Sequence, residues 1–213
     1  MLKLINIRSN NVTKKVESYM SSLPNKRFYT LDEYFALVRQ SDERYEYWDG
    51  EIFCMSGNKK EHVFIEEDVF ITLSQLLKGR NCQAFSSAIA IKVPAAPPFR
   101  YADGSVICGE VEFEEVGGVD TLVNPILLIE ILSPSTERYD RTGKFSIYKS
   151  IPSFQEYLLI AVSKPCITQF VKQKDGAWQP NEVIGLESNL YLPSIDRTLS
   201  LNDVYQRVKF KSE

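Results

Sequence analysis

The chain has 213 residues, 44% of them hydrophobic and 25% charged, which excludes a disordered or fibrous protein and allows one ordinary globular domain with a real core. No apolar run reaches the roughly 18 residues of a membrane span. The start, Met1-Leu2-Lys3-Leu4-Ile5-Asn6-Ile7-Arg8, turns polar too early for a secretory signal, so a cytoplasmic location away from membranes is expected. The formal net charge of −3 excludes a wholly basic nucleic-acid glue. It does not exclude a basic rim over an acidic metal site, because the two cancel in a net count. The four cysteines, Cys54, Cys82, Cys108 and Cys166, lie far apart with no CxxC pair. That spacing argues against a zinc ribbon or a disulfide framework and predicts buried thiols.

In chain order, residues 1–26 read as a variable lead-in, with a short helix expected from Val12 to Met20 before Pro24. Thr30 stands as an N-cap with Glu33 at the capping-box position, so a helix starts there. Asp49-Gly50 between Tyr45-Glu46-Tyr47-Trp48 and Glu51-Ile52-Phe53 predicts a hairpin. Val63, Ile65, Val69, Phe70, Leu73, Leu76 and Leu77 recur near helical spacing, and Lys78-Gly79 closes that helix. Strands are expected at Cys82–Ser86, Ile89–Val93 and Arg100–Cys108, with a stiff turn at Pro94-Ala95-Ala96-Pro97-Pro98. A Gly- and Glu-rich loop, 109–124, leads into the apolar strand Pro125–Leu132. A helix over about 140–150 follows, then strands at 157–162, 167–171 and 182–186, with a turn at Asp175-Gly176 and a last short helix over 199–208. This order predicts a mixed α/β fold, a central mixed sheet with helices packed on it.

Glu130 lies inside that apolar strand, where a buried carboxylate is costly unless it is paired or holds a metal. Alternation puts Leu128, Glu130 and Leu132 on one face and Ile129 and Ile131 on the other. The plain alternative is an acid that reaches solvent or a lysine at the strand's end. Asp103, in Tyr101-Ala102-Asp103-Gly104-Ser105-Val106, also heads an apolar strand, and alone it reads equally as a turn aspartate. Together, two carboxylates at corresponding ends of adjacent strands form a hard-oxygen pair suited to Mg²⁺ or Mn²⁺. Lys144 and Tyr148 lie one turn apart on the following helix, where a lysine can orient water or offset phosphate charge. Without the carboxylates it would read as a solvated helix lysine. Glu46 suits an additional metal-side acid or an ordinary half-buried hairpin residue. His62, the sole histidine, is by base rate more often structural than a ligand.

Asp103, Asn124-Pro125, Glu130-Ile131-Leu132-Ser133-Pro134-Ser135-Thr136, Asp140, Lys144, Tyr148 and Glu156-Tyr157 together resemble the Uma-type putative restriction endonuclease family of the PD-(D/E)XK nuclease superfamily. Tyr45–Ile52 and His62 also fall where that family carries such residues, and the resemblance spans about residues 27–190. It implies a restriction-endonuclease-like core over 27–213, with an added N-terminal helix and β-hairpin. It also implies a Mg²⁺ site, with Mn²⁺ able to substitute, held by Asp103, Glu130 and the Ile131 carbonyl. Two departures stand out. Ala102 replaces the motif proline, and Leu132 occupies the position of the motif lysine, which makes Lys144 a migrated replacement. The implied activity is endonucleolytic hydrolysis of DNA, with Asp103, Glu130, Lys144 and Glu46 as catalytic residues and His62 and Tyr148 in support. Cutting two strands is simplest with two symmetry-related sites, so a homodimer is plausible. The competing reading is a nuclease-like fold that only binds nucleic acid or protein. A glycosidase fits poorly, because its two acids stand apart across a sugar ring.

Overall fold

The computed structural model describes residues 2–4, 27–55, 57–134 and 136–210. The helix expected at Val12–Met20 lies outside the described residues. The chain divides into two compact units, Met1–Ser56 and Gly57–Glu213.

The first unit holds β1 (Leu2–Leu4), α1 (Leu31–Arg39), β2 (Tyr45–Trp48) and β3 (Glu51–Met55), with the strands in an antiparallel sheet of order β1-β3-β2. The expected capping box is present: Thr30 Oγ1 accepts from the Glu33 N–H at 3.2 Å, and Glu33 Oε2 accepts from the Thr30 N–H at 2.9 Å. The β2–β3 turn places Asp49 at φ 44° and Gly50 at φ 84°. Two positive φ angles are what a two-residue hairpin turn requires, and Asp-Gly supplies them at low cost.

The second unit opens with α2 (Lys60–Leu76), followed by β4 (Cys82–Ser86), β5 (Ala90–Ile91), β6 (Arg100–Tyr101), β7 (Gly104–Cys108), β8 (Phe113–Val116), β9 (Val119–Leu122) and β10 (Leu127–Leu132). A crossover then runs through α3 (Glu137–Tyr139), a π-helical turn (Asp140–Lys144) and α4 (Phe145–Tyr148). After it come β11 (Glu156–Ala161), β12 (Cys166–Lys172), β13 (Trp178–Ile184), β14 (Asn189–Leu192), β15 (Arg197–Ser200) and α5 (Leu201–Val204). The main sheet has the order β13-β12-β11-β10-β7-β4. Only β10–β11 is parallel, and parallel neighbours need a crossover, here supplied by residues 133–155. The expected central mixed sheet flanked by helices is therefore the observed one.

β10 is buried along its whole length. Leu127, Ile129 and Ile131 pack with Ile65, Val69 and Leu73 of α2, while Leu128 and Leu132 pack with Phe145, Tyr148, Tyr157 and Leu159 on the other side. Each large apolar side chain contributes about 1.5–3 kcal/mol on burial, so five of them hold the strand in place even though Glu130 must be desolvated with it.

Four expectations are corrected. The strand expected over Arg100–Cys108 is broken at Ala102-Asp103 into β6 and β7, which belong to different sheets. The loop expected over 109–124 contains the β8–β9 hairpin, paired from Phe113↔Leu122 to Val116↔Val119. Its positive-φ Gly117 and Gly118 supply the turn. The final helix is shorter than expected, with β15 taking residues 197–200. Cys82 and Cys108 are not separate thiols. They stand opposite each other on β4 and β7 and form a disulfide, because the topology brings together two residues 26 apart in sequence. Cys54 and Cys166 are free.

Candidate functional site

Glu130, Asp103 and Lys144 come together at one end of the β7–β10 pair. The register sets Gly104 opposite Ile129, so the antiparallel run brings Asp103, just before β7, beside the Glu130 end of β10. The Asp103 side chain is fixed there by the Ile131 N–H, which donates to Oδ2 at 2.7 Å.

Glu130 points to the crossover side and is 2% exposed. Its Oε2 accepts from Lys144 Nζ at 2.9 Å, and its Oε1 accepts from the Tyr148 hydroxyl at 2.8 Å. Lys144 is also buried; it donates to the Tyr101 carbonyl at 3.0 Å and lies 3.8 Å from Asp140 Oδ1. The Tyr157 hydroxyl donates to the Asp140 carbonyl at 3.1 Å. The helix expected over 140–150 begins as the wider π turn, a form common at functional sites. Gly143 permits it: a Cβ there would meet two Tyr139 ring carbons at 2.5 and 2.6 Å. This turn delivers Lys144 to Glu130. The position two residues after Glu130, Leu132, is 3% exposed and packs into the apolar cluster around Tyr148 and Tyr157.

On the other side of Asp103 stands α2. His62 Nε2 lies 3.3 Å from Asp103 Oδ2, and His62 Nδ1 lies 3.8 Å from Glu66 Oε2. Ser87 Oγ donates to Glu66 Oε1. The sequence reading missed Glu66; its i,i+4 spacing from His62 on a helix was the available signal. Glu46 belongs to the first unit, on β2, with a buried side chain.

Burial pushes the Glu130 carboxyl well above the usual carboxylate range; Lys144 opposes the rise, and Asp140 and Asp103 add to it. Burial also acts to raise Asp103, but the His62 contact, the Lys144 charge and the Ile131 N–H outweigh it and leave Asp103 low. For His62, burial disfavours the charge, yet Asp103 and Glu66 prevail and raise its pKa. The two acids are thus set apart: Asp103 is a ready anion, and Glu130 depends on a cation to ionise. A pair with this contrast, next to a buried lysine, has the composition of a hard-cation and phosphate site.

The central mixed sheet with its flanking helices is a nuclease-like fold. A crystal structure described as a putative nuclease belonging to DUF820, from Anabaena variabilis, superposes with a TM-score of 0.64 at 21% identity, covering 83% of this chain and 97% of that one. At that identity the likeness is one of fold. Residues 31–202 match the family model described as "Uma2: Putative restriction endonuclease", and the chain belongs to that family. Two relatives from Synechocystis sp. are similar along most of their length. The uncharacterized protein slr1290 is 30% identical over 181 residues, 84% of this chain and 92% of that protein. The uncharacterized protein sll1609 is 28% identical over 166 residues, 78% and 93%.

Proposed function

We propose that the second unit is a metal-dependent endonuclease that hydrolyses phosphodiester bonds of DNA. The observation that carries this reading is that Asp103, just before β7, is held at the Glu130 end of β10 by the Ile131 N–H, with Lys144 Nζ 2.9 Å from Glu130 Oε2. The donor set suits Mg²⁺, with Mn²⁺ as a substitute: two carboxylates and the Ile131 carbonyl are hard oxygens. A divalent ion held by Asp103, Glu130 and Ile131 would polarise a phosphate oxygen and make a water more acidic.

The chain's own groups have distinct tasks in this reading. His62, Lys144 and the Ile131 N–H keep Asp103 ionised, and that N–H aims it at the strand end. Tyr148 holds one oxygen of Glu130, so the carboxylate presents its other oxygen in a fixed direction. Lys144 balances Glu130 before substrate arrives, then orients the attacking water or offsets charge on the phosphate. Water oxygen bonds to phosphorus, the bridging P–O bond breaks, and the leaving oxygen takes a proton to end as a hydroxyl. With DNA as substrate we place the activity in the cytoplasm; no helix among the described residues is long and apolar enough to cross a membrane. A homodimer would place two such sites on the two strands.

The test is cleavage of plasmid DNA by the purified chain with Mg²⁺ or Mn²⁺, compared with Glu130→Gln. The variant should lose metal-dependent cleavage while keeping the fold, and cleavage at the wild-type rate would refute the assignment. One observation favours a binding module without catalysis: Lys144 is already closed on Glu130, and the motif position holds buried Leu132. Calorimetric Mg²⁺ titration separates the two readings: the nuclease reading expects a metal-linked rise in stability that Glu130→Gln removes, and a rise unaffected by that variant, or none, supports the binding module.

A further inference from the structure

We propose that His62, Glu66 and Asp103 form a cation position of their own on the α2 side of Asp103, one that takes a first-row transition ion such as Mn²⁺ in preference to Mg²⁺. The inference rests on the nuclease reading only in sharing Asp103 with it. One ligand atom from each of the three residues lies within 4.8 Å of the other two. An ion bound at about 2.1 Å spans ligand atoms up to about 4.2 Å apart, so a contraction of about half an ångström closes the group.

The second observation is His62 itself. Its side chain is 8% exposed, and its Nδ1 is buried without a hydrogen-bond partner, which costs free energy unless something else compensates. The 3.8 Å to Glu66 Oε2 is too long for a hydrogen bond but lies within the span of two groups drawn together at a cation. The imidazole sits between the two carboxylates with which it would share the ion. Ser87 holds Glu66 by donating to its far oxygen. A cleft lined by Glu66, Phe70, Phe85, Asp103 and Ile129 reaches two of the three residues. The nitrogen decides the ion: imidazole suits transition metals, whereas Mg²⁺ favours oxygen donors and retained water. Glu130, held by Lys144 and Tyr148 on the other face of β10, is not needed for this position.

The experiment titrates Mn²⁺ alone into EDTA-treated, dialysed full-length protein and counts free Mn²⁺ by EPR. Wild type, Glu66→Gln, Ser87→Ala and Glu130→Gln are compared, with folding checked by circular dichroism. Glu66→Gln should weaken one Mn²⁺ at least about tenfold, the range seen when a group supporting a metal is lost. Ser87→Ala, which leaves all three ligands in place, should weaken it less. Glu130→Gln should retain that ion, and Mg²⁺ should displace it only in large excess. Mn²⁺ binding by Glu66→Gln and Ser87→Ala as tight as wild type overturns the inference, as does displacement by equimolar Mg²⁺. The nuclease reading fails separately, if DNA stays intact while Mn²⁺ binding still depends on Glu66.

Discussion

Lys144→Met removes a cation within hydrogen-bond distance of Glu130 and keeps much of the side chain's length. Glu130 and Lys144 are 2% and 5% exposed, and their atoms meet at 2.9 Å. Breaking such a pair by deleting one partner costs about 3–5 kcal/mol, because a charge is left buried and uncompensated. Protonation limits the loss: each pH unit between the solution and the carboxyl's pKa costs 1.36 kcal/mol, and burial already raises Glu130. The lower end of the range, about 3 kcal/mol, is therefore expected near neutral pH. For a chain of this size that corresponds to a fall in Tm of about 6–12 °C. The sign of the pH dependence follows. A carboxyl with a raised folded pKa loses stabilisation as pH rises through that value, and losing Lys144 raises it further, so the deficit should be small at about pH 5 and grow toward neutrality. Thermal and urea unfolding in EDTA measure it. In Lys144→Met/Glu130→Gln neither member of the pair is charged, and at least about 2 kcal/mol should return as a coupling energy. A single variant within about 1 kcal/mol of wild type, together with an additive double variant, would refute the claim that this pair is closed and desolvated.

Tyr148→Phe deletes the donor to Glu130 Oε1 and should cost about 1–3 kcal/mol by urea denaturation; a loss below about 0.5 kcal/mol would show that water replaces the hydroxyl. The raised pKa of His62 stabilises the metal-free fold fully below the ordinary imidazole value of about 6.5 and is lost as pH rises through the folded value. Wild-type Tm in EDTA should therefore fall relative to His62→Gln across that window, and parallel curves would contradict the reading. Gly50→Ala places a Cβ at φ 84° and 2.6 Å from the Phe28 Cδ1 atom. It should destabilise by at least about 1 kcal/mol, and an unchanged denaturation midpoint would show that the turn relaxes.

Features governed by local chemistry were legible in the sequence. The Thr30–Glu33 box needs four consecutive residues, and the Asp49-Gly50 turn needs two. The alternation along β10 placed Glu130 on the face of Leu128 and Leu132, the side on which Tyr148 reaches its carboxylate. Asp103 and Lys144 were legible as candidates because each breaks a local pattern or stands one turn from a tyrosine. The tertiary structure alone decided what these residues meet. The expected 140–150 helix opens as a π turn because Gly143 leaves room for the Tyr139 ring, a contact no periodicity reports.

Glu66 carries the same lesson further. It is one of several acids on α2, and only the packing of α2 against β4 and β10 sets it beside Asp103 and Ser87. Cys82 and Cys108 read as separate thiols until the β4–β7 register opposed them. Sequence by itself determined the strand that buries an acid, the acid that heads its neighbour and the hairpin before them, because those signals are short-range or periodic. The tertiary structure decided which charges face one another, because that depends on strand order and register. Both are fixed by the burial of many apolar side chains at once, not by the charged residues themselves.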